Sequence, residues 1–305
     1  MSLNFKQAGR WLWRTFLKAV AAACLLLLVT AAVKTGLFRR YLPQNLMPAP
    51  VEGQAGFALH MLDVGQGQAL LLTCGGQSAM VDAGLPENGG KITEYLREQG
   101  VRQLKYLFVT HPHSDHCGSA QRVLARVPTE TLVVPRYLSV QDALVSAGEW
   151  VGATDTAIAV THTGQTFSLG EAVITVLHPA EGNGIEDMND LSLVLLVEYA
   201  GKRLLLTGDI SREVELSLLP IGGVDVLQVA HHGSGGSSCA EFLADTAPDI
   251  ALISCGRNND YGHPHESVLE RLEEVGAQIH RTDREGTLVV RIREGKITVE
   301  NENKK

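Results

Sequence analysis

The run Thr110-His111-Pro112-His113-Ser114-Asp115-His116 sets three imidazoles and a carboxylate within six residues, directly after an apolar, strand-like stretch over 104–109. Imidazole nitrogen and carboxylate oxygen at that density suit zinc and its divalent neighbours. In extended backbone alternate side chains share a face, so His111 and His113 point one way, while the adjacent Asp115 and His116 diverge toward a second position. The spacing is that of one loop serving two cations. A His-rich surface turn that binds nothing is the simpler reading, but further His and Asp residues follow downstream at strand ends and complete a ligand set.

Strands are predicted over 57–62, 69–73, 78–81, 104–109, 132–134, 173–177, 191–197, 202–206, 224–229, 250–254, 278–280 and 287–292, where branched apolar residues are bounded by Gly, Pro or Asp. Helices fit 92–99, 118–127, 212–219, 240–246 and 267–274, where apolar residues recur at helical spacing. The early strands are hairpin-like and the later ones are separated by helices. That order suits an α+β chain with two sheets packed face to face and helices outside.

The first forty residues differ in kind from the rest. Lys6, Arg10, Arg14 and Lys18 precede the uncharged run 19–33, and Lys34, Arg39 and Arg40 follow it. Fifteen helical residues span about 22 Å against a hydrocarbon core of about 30 Å, and snorkelling of Lys18 and Lys34 extends the span. Trp11, Trp13 and Phe16 suit one interface. Residues 1–40 are therefore predicted to be a membrane anchor with the body outside the cytoplasmic membrane, and a cleaved signal segment is the rival. Residues 41–55, with Pro43, Pro48, Pro50 and Gly53, read as a linker. The body is 56–300.

Five cysteines, Cys24, Cys74, Cys117, Cys239 and Cys255, show no zinc-finger spacing. An exported body can pair two of them. Cys117 follows His116 and reads as a buried small hydrophobe.

The motif His-x-His-x-Asp-His closing a strand resembles the signature of the metallo-β-lactamase fold. The segments Asp63-Val64-Gly65-Gln66-Gly67, Leu205-Leu206-Thr207-Gly208-Asp209, Ala230-His231-His232-Gly233-Ser234 and Tyr261-Gly262-His263-Pro264-His265 are similar to the hydrolase domain of ComEC-type competence proteins and its stand-alone relatives, over about 56 to 295. The resemblance implies a four-layer αββα sandwich. It implies two divalent ions, zinc first and manganese second. His178 is then the third imidazole for the cation held by His111 and His113, Asp209 bridges, and His232 joins Asp115 and His116. Asp115 belongs to the catalytic group as well. His231 contacts substrate or an orienting carboxylate, and Asp63 orients a ligand. His263 and His265 at the mouth of the site assist a leaving oxygen. Asn189 and Ser192 match a loop motif of the family, with a plain Asx turn as the alternative. Ser234 lies in a Gly-rich loop whose N–H groups can hold an oxyanion, or which is a simple turn. Gln68 departs from the family pattern, which has an acid there.

The implied chemistry is hydrolysis by a hydroxide activated between two cations, most naturally on a phosphodiester, DNA included, outside the membrane. Residues 41–305 carry 19 basic and 34 acidic residues, a net of −15, and so lack the broad basic footprint of a nucleic-acid binder. A small ester, lactone or cell-envelope phosphodiester is the alternative substrate, and an inactive membrane-tethered binding protein is the alternative class. No protein partner is indicated.

Overall fold

The computed structural model describes residues 56–136, 147–152, 154–179 and 187–302, all within one compact unit, Gly53–Lys305. The predicted membrane segment and the linker lie outside the described residues. Among those described, no helix is long and apolar enough to cross a membrane.

In chain order, β1 (Phe57–Met61), β2 (Leu70–Cys74) and β3 (Gln77–Val81) form a meander, and α1 (Gly89–Glu98) leads to β4 (Leu104–Phe108). Two short helices, α2 (Ser114–Cys117) and α3 (Ala120–Arg126), precede β5 (Thr129–Pro135), and β6 (Ala157–Thr161) follows. A second group comprises β7 (Thr166–Leu169), β8 (Ala172–His178), β9 (Val194–Tyr199) and β10 (Lys202–Leu206). Helices and strands then alternate through α4 (Arg212–Ser217), β11 (Val226–Gln228), α5 (Ala240–Thr246), β12 (Ile250–Ile253), α6 (Glu266–Glu274) and β13 (Gln278–Arg281). The short α7 (Thr282–Glu285) precedes the closing hairpin of β14 (Thr287–Arg293) and β15 (Lys296–Glu302).

The strands form one sheet of order β15-β14-β1-β2-β3-β4-β5-β6 and another of order β13-β12-β11-β10-β9-β8-β7. Side-chain alternation explains the layering. Leu70 and Leu72 enter the core between the sheets, as do Leu195, Val197, Leu204 and Leu206 from the facing sheet. Leu71, between the first pair, packs outward with Ile92 and Leu96 of α1 and Val123 of α3. Leu205 likewise packs outward with Phe242 of α5 and Val268 and Leu272 of α6. Both faces of each central strand are covered, which is why these strands read as continuous apolar runs. The expected αββα layering is what the residues build.

Each sheet changes from antiparallel to parallel pairing partway across. The run from β3 to β6 is parallel, and so is the run from β10 to β13. Parallel strands put their carboxyl ends on one edge, the place where open α/β sheets bind ligands. The residues following β3, β4, β10, β11 and β12 are Asp82, Thr110 to His116, Asp209, His231 with His232, and Ser254. These residues meet in space.

Cys74, Cys117, Cys239 and Cys255 are free and buried, so none of these four forms a disulfide. Cys117 belongs to the core against α1 and α3, and burial pushes its thiol up to about 12.

Candidate metal centre

Asp115, His116, Asp209 and His232 each present one ligand atom, all within 4.8 Å of one another. His116 Nε2 lies 3.2 Å from Asp209 Oδ1, and His232 Nε2 lies 3.3 Å from Asp115 Oδ2 and 3.6 Å from Asp209 Oδ2. His116 Nε2, His232 Nε2 and Asp209 Oδ1 are buried with no hydrogen-bond partner. Three orphaned polar atoms converging in a protein interior are costly unless something fills the gap, and a divalent cation satisfies all three at once.

The far sides of these groups are firmly held. Asp82, fully buried, accepts from the Thr110 N–H (2.8 Å) and hydroxyl (2.8 Å), from His116 Nδ1 (2.7 Å) and from the Gln68 amide (3.0 Å). A carboxylate only accepts, so His116 donates from Nδ1 and turns Nε2 inward, where loss of its proton to an arriving cation leaves a lone pair. Thr110 gives its hydroxyl proton to Asp82 and so accepts from His111 Nδ1 at 3.1 Å, which leaves His111 Nε2 as an acceptor, 3.1 Å from His113 Nδ1. His232 Nδ1 donates to the Ser254 carbonyl at 2.8 Å, which turns its Nε2 inward as in His116. Gln68 has a clear role here: its amide donates to Asp82, where a second acid would repel it.

Backbone geometry brings these groups close. Gly67 (φ +126°) lies so near Asp115 that a Cβ would come within 2.5 Å of its carbonyl oxygen, and a Cβ on Gly208 (φ +58°) would meet Ser192 at 2.8 Å. Buried Gln228 receives the N–H groups of Thr207 (2.7 Å) and Gly208 (2.9 Å), fixing the turn that delivers Asp209. Ser192 accepts the Asp209 N–H at 3.0 Å and touches His111 Nδ1 at 3.2 Å.

The electrostatics match a site awaiting positive charge. Burial works to lower the His116 pKa, yet the Asp209 and Asp82 carboxylates outweigh it and hold the ring well above its ordinary value. His232 is raised in the same way, against burial, by Asp209 and Asp115. Asp209 stays well below the usual carboxylate range despite burial, because His116 and His232 face it. His111 is the opposite case: burial, then His116, push it down to about 2.

The sequence motif of the metallo-beta-lactamase superfamily matches residues 62–257, which include every one of these groups. The chain belongs to that superfamily. It is 31% identical over 255 residues to ComE operon protein 3 of Bacillus subtilis, covering 76% of this chain and 32% of that protein. It is 31% identical over 245 residues to Recombination protein 2 of Haemophilus influenzae, covering 78% and 29%. Competence protein ComA of Neisseria gonorrhoeae is 31% identical over 293 residues, covering 88% and 39%. The chain thus spans roughly a third of the length of these relatives. Among solved structures, the metallo-beta-lactamase fold protein YhfI from Bacillus subtilis superposes with a TM-score of 0.52 at 14% identity, covering 80% of this chain and 100% of that one. CmlA, a diiron beta-hydroxylase from Streptomyces venezuelae, gives 0.54 at 16%, covering 78% and 54%. At these identities the two structures attest the shared fold.

Not every residue expected from the sequence of this metallo-beta-lactamase member sits where it was expected. His111 and His113 are neighbours, but His111 Nε2 meets His113 Nδ1 at 3.1 Å. His178 is not brought to them. It is buried, and its Nε2 donates to the Asp190 carbonyl at 2.8 Å. Asp63 lies apart from the metal cavity, accepting from the Gly65 N–H (3.3 Å) and pairing with Lys91 at 3.7 Å. Asp82 performs the orienting task expected of Asp63, and the Asp-Ala-Gly that follows β3 was the overlooked signal.

His231 and His232 depart from the expected opposed directions. Both are left-handed (φ 51° and 57°), and the alternation rule holds only for extended backbone. His231 Nε2 therefore also reaches Asp209 Oδ2, at 3.8 Å. Three N–H groups of the Gly-rich loop are engaged within the protein: Ser234 N–H goes to the His231 carbonyl (2.8 Å), Gly235 N–H to His265 Nδ1 (2.7 Å) and Gly236 N–H to Ser234 Oγ (3.4 Å). His265 has both nitrogens engaged, since Nε2 donates to the Tyr261 carbonyl at 3.3 Å. His263 instead faces the cavity, with Nδ1 buried and unpartnered, and burial followed by His232 lowers it to about 4.

The cavity beside the ligands is about 280 Å³ and is lined by Gln66, His113, Asn189, His231, Tyr261 and His263, among others. Asn189 adds a buried, unpartnered Oδ1.

Proposed function

We propose that this superfamily member is a metal-dependent phosphodiesterase acting on DNA or another phosphodiester, with two divalent ions, zinc or manganese. The observation that carries this reading is the convergence of His116 Nε2, His232 Nε2 and Asp209 Oδ1, all orphaned, beside a solvent-reaching cavity that Asp209 and His232 line. Divalent ions held there supply solvent of lowered pKa and polarise a phosphoryl oxygen. Mixed imidazole and carboxylate donors admit zinc, and the carboxylate share admits manganese.

The protein's own groups do the positioning. Asp82 and Ser254 fix the tautomers of His116 and His232, and Thr110 with Ser192 fixes His111. His263, neutral at pH 7, lines the cavity, where its ring can hydrogen-bond a leaving oxygen. Asn189 and His231 line the same wall.

The size of the cavity suits one phosphoryl group and its immediate substituents. One relative bears recombination in its name and another competence, which favours DNA. The net charge of −15 outside the first forty residues favours a smaller envelope phosphodiester, ester or lactone. The ligand set argues against an inactive binding protein, and tethering through residues 1–40 remains part of this proposal.

The test is hydrolysis by the purified chain, with manganese or zinc, of single-stranded DNA, duplex DNA and bis-p-nitrophenyl phosphate. Cleavage of at least one is expected, and failure on all three with metal bound defeats the phosphodiesterase reading.

A further inference from the structure

Four large apolar side chains are exposed among the described residues, Val173, Met188, Leu216 and Tyr261, and Tyr261 at 66% is the most open. Of the four, Tyr261 is the one lining the metal cavity. A single exposed ring is ordinary in itself, and what singles this one out is its position on the wall of the metal cavity.

Its surroundings make it a platform. The Tyr261 ring lies on His263 at 5.6 Å between centroids and 22° between planes. His263 is in turn near-parallel to His232, at 6.3 Å and 26°. Three rings thus run outward from a metal-ligand candidate to solvent, and the outer face of the last is uncovered. The segment is held from several sides. Asn259 bonds the Gly256 carbonyl (2.9 Å), the His263 carbonyl (2.6 Å) and the His263 N–H (3.0 Å). His265 holds the Tyr261 carbonyl.

We propose that Tyr261 stacks a nucleobase flanking the scissile phosphate, making the site selective for unpaired, base-bearing phosphodiester strands. This rests on the phosphodiesterase reading and deepens it. Tyr261 lines the open cavity beside the metal-ligand candidates, so a base attached to a phosphate held there comes within reach of its uncovered face. Stacking is largely independent of net charge, so it supplies affinity that an acidic body cannot draw from phosphate contacts. Bases within a duplex have both faces occupied, so single strands and frayed ends are the form that fits.

The experiment compares the wild-type chain with Tyr261→Ala and Tyr261→Phe on a single-stranded oligonucleotide and on the same strand carrying abasic sites, which keeps sugar and phosphate. Tyr261→Ala is expected to lower kcat/KM on the base-bearing strand by roughly 5- to 150-fold, the loss a stacked base shows on truncation to alanine, chiefly through KM. It is expected to cost the abasic strand several-fold less, and Tyr261→Phe is expected to behave as wild type. A 2-aminopurine base in the strand should be quenched on binding to the wild type and not to Tyr261→Ala. Equal losses on both strands, or no loss on either, overturn the stacking role while leaving phosphodiester cleavage intact. A wild type that cleaves neither strand nor bis-p-nitrophenyl phosphate overturns both readings.

Discussion

The two ends of the His-x-His-x-Asp-His motif are built to different standards. At one end Asp115 and His116 join Asp209 and His232, with two carboxylates facing two imidazoles and each imidazole tautomer fixed from behind. At the other, His111 and His113 face each other, and His178 is engaged elsewhere. Burial is common to both ends, so it does not separate them. Facing carboxylates do: they draw protons onto His116 and His232, whereas His111 remains neutral at a pKa of about 2. A pair of cations is therefore expected to load unequally, first beside Asp209 and then beside His111.

Asp209→Ala cuts deepest into this contrast, because its two oxygens serve imidazoles on both sides. Hydrolysis is expected to fall to background and bound metal to drop, while circular dichroism shows a folded body; retained turnover breaks the account of the stronger half. Asp82→Asn comes next. Metal affinity should fall about 10- to 100-fold, as for other partners that orient a ligand, measured by competition with a chelating dye. An unchanged affinity would mean that tautomer control by Asp82 is unimportant.

His113→Ala sharpens the comparison from the weaker side. Calorimetric titration should lose the later binding phase and keep the first, and loss of both phases would show that the halves are one unit. The pH dependence should separate them too. His116 and His232, raised above their ordinary values without a cation, must give up protons to bind one, so affinity of the first phase rises with pH and protons are released. His111 has none to give. Calorimetry in buffers of different ionisation enthalpy checks this, and equal proton release in both phases contradicts it. The smallest effect is expected at His178. Its replacement by Ala should cost about 1 kcal/mol for the lost hydrogen bond, seen in urea unfolding, and leave metal content intact. Loss of one equivalent of metal would return His178 to the ligand set.

The strands visible in the sequence and those overlooked differ in position. β6, β7 and β15 were missed, and they form both edges of the first sheet and one edge of the second. Edge strands face solvent on a side or an end, so they carry short or charged runs, as in Lys296–Glu302. Central strands such as Val194–Tyr199 are covered on both faces and spell out their burial. The helices were legible for a similar reason, since α1, α5 and α6 each turn an apolar stripe to a sheet.

The residues alone determined the layered α+β architecture and most of the donors, because burial periodicity and ligand chemistry are written locally: Asp115, His116, Asp209 and His232 were all recognisable one motif at a time. What only the folded chain decided is which donors share a cation and what stands behind them. Asp82, Thr110, Gln228 and Ser254 act through hydrogen bonds between segments far apart in sequence, and His231 faces Asp209 through a left-handed backbone. Convergence of strand ends from two sheets is a property of three-dimensional packing, and no single segment encodes it.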